Sequence, residues 1–193
     1  DCGERRDRAV RGRIDVFGNE VIPLYEDEVR GAAEELLEMG VEGIVVCLLQ
    51  SFVNDAHERR AAEIVAEVQA EAGTDVPVFA SSALYPLRGD FPRLNTTLVE
   101  AYAAEPSRQQ LSKLDRAVNE AGAGFDLRVM AAHGGTISID SSELARTLVS
   151  GPIGGVVGGR EVAARLGLPN VLCTDIGGTS FDIALITDGA VEV

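Results

Sequence analysis

Cys173-Thr174-Asp175-Ile176-Gly177-Gly178-Thr179-Ser180-Phe181-Asp182 is the stretch whose reading decides the fold. It predicts a buried strand from Asn170 to Asp175, a glycine turn, and a second strand from Ser180 to Thr187. Asp175 ends the first strand. Gly177 and Gly178 lack a Cβ, so the backbone can turn sharply and approach a ligand closely. Thr179 and Ser180 add hydroxyls, and successive backbone N–H groups in such a turn make an anion-binding concavity. Asp182 supplies a second carboxylate on the next strand. Two acids beside a phosphate-sized nest make sense when a divalent cation bridges them to phosphate oxygens. The competing reading is a tight hairpin in which Asp and Thr cap their own turn.

Upstream, Ser150-Gly151-Pro152-Ile153-Gly154-Gly155-Val156-Val157-Gly158-Gly159 reads as a glycine-rich loop leading into a helix that ends at Gly167. It is not a dinucleotide fingerprint, because Pro152 and Ile153 break the G-x-G-x-x-G spacing. It is not a P-loop either, because Arg160-Glu161 stands where Lys-Ser/Thr belongs. The glycines let the helix start approach either an anion or a neighbouring helix. Further back, Leu127 to Ala132 predicts a strand with His133-Gly134-Gly135-Thr136 turning at its end. His133 at a strand end is either an acid/base or substrate-orienting group or a plain loop histidine.

The first part of the chain alternates element types. Gly18-Asn19 turns a hairpin, and Glu26 to Met39 predicts a helix with Val29, Ala32, Ala33, Leu36 and Leu37 on one face. Gly43 to Leu49 is an apolar strand, Asp55 with Glu58 offers a capping box for a helix to Ala72, and Pro77 to Ala80 is a short strand. Strand, helix, strand argues for α/β architecture with a parallel sheet. Ser82 to Phe91 reads as a loop, with Arg88, Asp90 and Arg93 as a salt-bridged surface cluster or an anion site. Pro92 to Ala104 predicts one helix, and Pro106 opens another that stops at Gly122. His57 reads as a surface residue.

The chain has 193 residues with 46% hydrophobic and 25% charged, which fits one globular domain or parts of two. Its net charge of −14 argues against nucleic acid, whose phosphates need a basic footprint. No apolar run reaches the ~20 residues of a membrane span. Cys2, Cys47 and Cys173 have no metal-ligand spacing and read as free thiols of a cytoplasmic protein. The amino terminus, without Met or signal peptide, and the end at Val193 within a strand pattern lead us to expect a piece of a longer polypeptide.

Asp175-Ile176-Gly177-Gly178-Thr179-Ser180-Phe181-Asp182 resembles the second phosphate-binding motif of the hydantoinase A / 5-oxoprolinase family, which belongs to the actin-like ATPase superfamily. Three other stretches are similar to that family in the same order. They are Arg93-Leu94-Asn95-Thr96-Thr97 with Ala101-Tyr102, Gly134-Gly135 after its strand, and the run from Ser150 to Gly159. The resemblance spans nearly the whole chain, and its details are nearest the ATP-binding subunits of ketone carboxylases. Many family members carry Asn where this chain has His133, which points to a different substrate or to a loop position.

The resemblance implies actin-like ATPase (ribonuclease H-like) lobes with mostly parallel sheets, incomplete in this chain. Residues 1–82 would end the N-terminal α/β lobe, 83–126 would form a helical linking region, and 127–193 would start the second nucleotide-binding lobe. A first phosphate motif is expected upstream. The implied cofactors are ATP and Mg²⁺. Asp175 would hold the metal, Asp182 would orient water or metal, and Gly177, Gly178, Thr179 and Ser180 with Gly154 and Gly155 would hold the nucleotide. His133, Gly134 and Gly135 would lie on the substrate side. The implied function is activation of a carbonyl compound by phosphorylation, either to open a cyclic amide or to carboxylate a ketone, with a hydantoinase B-like partner subunit. The alternatives are a non-catalytic nucleotide-binding or scaffold subunit, and a sugar or acyl kinase of the same superfamily.

Overall fold

The structure, a computed structural model, describes residues 6–192, so Cys2 and the chain end at Val193 lie outside the described residues. The chain divides into two compact units, residues 1–105 and 106–193. The architecture is mixed α/β with small sheets.

Unit 1 begins with the antiparallel hairpin β1 (Arg13–Ile14) and β2 (Glu20–Ile22). Its turn is set by Asp15, whose Oδ1 accepts from the N–H groups of Phe17 and Asn19, each at 2.8 Å. Helix α1 (Glu26–Glu38) follows, then strand β3 (Ile44–Val46), helix α2 (Ala56–Ala72) and strand β4 (Val78–Ala80). β3 and β4 pair in parallel, Ile44 opposite Val78, so the predicted β-α-β unit is present. Val29 and Ala33 of α1, Ile44 and Val46 of β3, and Ala61, Ile64, Val65 and Val68 of α2 form its core. Each such aliphatic side chain buried contributes about 1.5–3 kcal/mol. On the surface Arg60 joins α2 to α1 by bonding Glu26 at 2.8 Å, and also meets Glu63 and Glu67. The guanidinium holds the Glu26 carboxyl below its ordinary value.

Three polar residues read as surface or capping groups lie inside unit 1. Glu58 does not complete a capping box with Asp55. It is fully buried, and its carboxylate accepts from Leu48 N (2.6 Å), Ser51 Oγ (2.7 Å), Ser81 Oγ (2.7 Å) and Ser82 N (2.8 Å). Four donors offset the desolvation that burying a carboxylate costs. His57 is 5% exposed, with Nε2 2.7 Å from Glu20 Oε2. Arg93 is 1% exposed rather than part of a surface cluster. Its guanidinium donates to Ser81 Oγ (2.8 Å), Leu48 O (2.7 Å) and Asp90 Oδ1 (2.8 Å). Arg93 and Glu58 are thus linked through one serine hydroxyl, each charge satisfied where it sits.

The expected loop after β4 starts with a short helix, α3 (Ser81–Leu84). The two expected helices after it form one, α4 (Asp90–Glu120), with Pro106 inside. Proline removes one intrahelical hydrogen bond, to the carbonyl four residues back. That residue is Tyr102, which is 88% exposed, so water can replace the missing donor. Within unit 1 this helix buries a polar face of Arg93, Thr97 and Glu100, with Tyr85 Oη donating to Glu100 at 3.0 Å.

Unit 2 opens with an antiparallel pair, β5 (Arg128–Met130) and β6 (Thr136–Ser138), turned by His133-Gly134-Gly135. β6 is too short to show a period in sequence. Helix α5 runs Ser150–Leu166, so the glycine-rich stretch is helical rather than a loop. The chain then forms the meander β7 (Val171–Ile176), β8 (Phe181–Thr187) and β9 (Ala190–Glu192). Of the five strand pairings described, β3–β4 is the parallel one and the others are antiparallel, which corrects the expectation of mostly parallel sheets. The reason is local: a glycine turn of a few residues joins adjacent strands only antiparallel. β7 is also less buried than expected. α5 covers one face of the meander, and on the other Leu172 and Ile176 are 61% and 78% exposed.

Glycine in α5 costs about 1 kcal/mol per residue against alanine, and close packing explains one of them. A Cβ on Gly159 would sit 2.7 Å from Cys173 Sγ. Gly159→Ala is therefore expected to lower stability by about 1–2 kcal/mol through overpacking. Adding Cys173→Ala should recover most of it, which paired urea melts of single and double variants will check.

Candidate functional site

The turn after β7 assembles from local geometry. β7 and β8 pair with Ile176 opposite Phe181 and Asp175 opposite Asp182. Gly177 N–H donates to Ser180 O at 3.0 Å and closes the turn. The two carboxylates are thus direct cross-strand neighbours, both exposed. Side chains so placed have Cβ atoms about 4.5–5.5 Å apart, and like charges there destabilise the pair. Nothing in the chain compensates: among the described residues Asp175 makes no side-chain hydrogen bond or ion pair, and Asp182 receives one bond, from Ser180 Oγ at 3.3 Å. The capping reading, with Asp175 and Thr179 bonded to their own turn, is not what the hydrogen bonds show.

The glycines are equally unexplained by the chain alone. Neither Gly177 nor Gly178 lies in the left-handed region that a side chain avoids. A Cβ on Gly178 would meet nothing within 4 Å, and one on Gly177 would make ordinary contact with Ser180 O at 3.6 Å. The N–H groups of Gly178 and Thr179 have no partner among the described residues. The turn therefore exposes backbone donors and room above them.

Helix α5 packs against β7 through Gly159. Cys173 and Asp175 share a face of β7, and Cys173 Sγ lies against Gly159. The short link from α5 to β7 turns the chain back, so helix and strand run in opposite senses. Moving from Cys173 to Asp175 covers ~7 Å of strand, which the helix spans in about four residues. Gly154 and Gly155 are thus about level with Asp175 along the strand, four to five residues inside a helix that starts at Ser150. Gly155 has open space where its Cβ would be, while Gly154 backs onto Met130.

His133, Gly134 and Gly135 lie elsewhere on α5. Gly134, at φ +84°, faces Val157, and a Cβ on Gly135 would collide with His133 Nε2 at 2.8 Å. The glycines here let the exposed histidine ring fold over its own turn. No hydrogen bond or ion pair joins His133 to Asp175 or Asp182 among the described residues.

The sequence matches known proteins along most of its length. Residues 93–193 fit the profile described as Hydantoinase/oxoprolinase, and residues 2–69 fit that of the Hydantoinase/oxoprolinase N-terminal region. The chain belongs to the hydantoinase/oxoprolinase family. Within it, the chain is 54% identical over 186 residues to the acetone carboxylase beta subunit of Xanthobacter autotrophicus, covering 96% of this chain and 26% of that one. It is 37% identical to the acetophenone carboxylase gamma subunit of Aromatoleum aromaticum, covering 95% and 25%. Among solved structures, nucleotide-free acetone carboxylase matches with a TM-score of 0.85 at 55% identity, over 94% of this chain and 26% of that one. The ATP-dependent caprolactamase from Pseudomonas jessenii matches with a TM-score of 0.79 at 32% identity, over 92% and 26%. This hydantoinase/oxoprolinase chain spans about a quarter of the length of those relatives. Among its described residues no helix is long and apolar enough to cross a membrane.

Proposed function

We propose that this chain supplies one half of an ATP site, in lobes of the actin-like ATPase kind, within an enzyme subunit that activates a carbonyl compound by phosphorylation. The observation that carries this reading is the register that sets Asp175 opposite Asp182 beside a turn with free backbone donors. Two unpaired carboxylates held together fit a divalent cation. Among the described residues no group of three or more His, Cys, Asp or Glu could hold a metal ion by itself. Mg²⁺ takes one or two carboxylates and completes its shell with phosphate oxygens and water. When bound, Mg²⁺ would neutralise charge on the transferring phosphoryl group. Asp175 would hold the metal, Asp182 would orient it or a water, and Gly177, Gly178, Thr179 and Ser180 would cradle phosphate. Gly155, with Gly154 behind it, would let the start of α5 come close. His133, Gly134 and Gly135 would face the substrate side.

The γ-phosphoryl group of ATP would pass to the oxygen of an enolate, a bicarbonate or an amide, leaving ADP and an activated carbon. Identity of 54% to an acetone carboxylase subunit, against 32% to a caprolactamase subunit, favours ketone carboxylation over cyclic-amide opening. Those relatives are named as subunits, which supports a partner chain, and we assign it to the hydantoinase B-like kind. The test is ATP hydrolysis by the complete subunit complex. Acetone or acetophenone with bicarbonate is expected to stimulate it. Stimulation by hydantoin, 5-oxoproline or caprolactam instead would make it an amide hydrolase. ATP binding with no stimulated turnover would favour a scaffold role.

A further inference from the structure

The first half of α4 is inverted relative to an ordinary surface helix, whose apolar stripe faces inward. Arg93, Thr97, Glu100 and Ala104 form its buried face. The polar groups are satisfied there. Arg93 is met by Ser81, Leu48 and Asp90, Thr97 Oγ1 donates to Arg93 O at 2.8 Å, and Glu100 accepts from Tyr85. The opposite face is apolar and open. At 3.6 residues per turn, Phe91, Leu98 and Tyr102 fall within about 40° of one another around the helix. They are 72%, 46% and 88% exposed, and Val99 beside them is 36% exposed. Single exposed apolar side chains are ordinary, whereas a contiguous patch marks a contact surface.

Composition and spare hydrogen-bonding capacity agree with this. None of Phe91, Asn95, Leu98, Val99 and Tyr102 is charged, in a chain of net charge −14. Loss of charge with gain of aromatics is the mark of the centre of a protein–protein contact. Asn95 lies on the same stripe. Neither its amide nor the Tyr102 hydroxyl has a hydrogen-bond partner among the described residues. Pro106 also leaves the Tyr102 carbonyl without the N–H that a helix supplies from that position. A lipid surface offers nothing to such groups, but another protein segment does.

Size decides the occupant. From Phe91 to Tyr102 the stripe is about 16 Å long. At these exposures its four apolar side chains offer on the order of 400–500 Å², with 150–250 Å² for a whole aromatic side chain. A stable association of separate chains takes about 800 Å² from each partner, so this stripe is too small to hold one alone. Within one polypeptide a small contact suffices, because the tether keeps its two sides at high effective concentration. The relatives of this chain have about three quarters of their length outside the part it matches. We infer that the Phe91–Leu98–Tyr102 stripe is a docking face for a segment of the same polypeptide outside residues 1–193. That segment presents apolar side chains and at least one hydrogen-bond donor. The first half of α4 then lies between two protein layers, its polar face held by unit 1 and its apolar face by the docked segment.

The experiment uses the complete polypeptide, first without and then with its partner subunits. Hydroxyl-radical labelling of Phe91 and Tyr102 reads their accessibility. In a second preparation p-benzoylphenylalanine, placed at position 102, is photo-activated and the cross-linked peptide is sequenced. Phe91 and Tyr102 are expected to label about tenfold more slowly than in the urea-unfolded chain, as side chains at the centre of a contact do. That protection should be present without partner subunits and unchanged by dilution. The cross-link should join position 102 to a peptide of the same chain outside residues 1–193. Tyr102→Lys should return Phe91 to fast labelling while Tyr85, 3% exposed in unit 1, stays protected. Labelling at the unfolded rate in both preparations would overturn the proposal. So would protection that needs the partner subunits or high protein concentration, or a cross-link to a partner subunit, to a second copy or to residues 106–193.

Discussion

Asp175→Asn is expected to cut ATP turnover about a thousandfold in the complete polypeptide while leaving its melting temperature unchanged or slightly higher. The two halves of that expectation come from the same fact. Asp175 sits directly opposite Asp182 across the β7–β8 hairpin, and neither carboxylate is met by a cation among the described residues. Like charges in that relation weaken the hairpin. Asparagine keeps the shape and removes one charge, so the fold loses nothing and sheds a repulsion. A bound divalent cation reverses the sign of the argument, because it needs the second charge. Phosphate release measured over a range of Mg²⁺ concentrations, beside a melting curve, reads both quantities. A folded variant that turns over at the wild-type rate would reduce Asp175 to a strand-end residue. A large drop in melting temperature would mean that the carboxylate holds the turn.

The two strands and the glycine turn between them were legible in the sequence, while the register that sets Ile176 against Phe181 and Asp175 against Asp182 comes from the structure. The β-α-β unit and the glycine stops were legible because each rests on a few neighbouring residues: Gly122 and Gly167 both take positive φ at helix ends. What escaped was polar burial. Glu58 reads as a helix-start residue because its partners, Leu48, Ser51, Ser81 and Ser82, come from other elements. Arg93 reads as a surface charge until Ser81 and Leu48 are brought to it. The glycine-rich start of α5 was misread as loop because propensity opposes helix there, whereas the chain is helical from Ser150.

Gly178→Val separates a phosphate cradle from a plain hairpin turn, and the geometry makes the separation sharp. A glycine kept for the turn itself would sit at positive φ or be crowded by the chain. Gly178 does neither, since its φ is outside the left-handed region and a Cβ there meets nothing within 4 Å. Valine should therefore change stability by no more than about 0.5 kcal/mol, as at an ordinary surface position. Its branched side chain would fill the space over the free N–H groups of Gly178 and Thr179, where phosphate oxygens have to come. Nucleotide affinity is expected to fall about a hundredfold, which is about 2.7 kcal/mol, and Gly178→Ala should lie between. A melting curve and a nucleotide titration on the complete polypeptide carry the test. Unchanged affinity in the folded fraction, with or without a lower melting temperature, would remove phosphate from this turn and leave the two carboxylates without the partner that their placement requires.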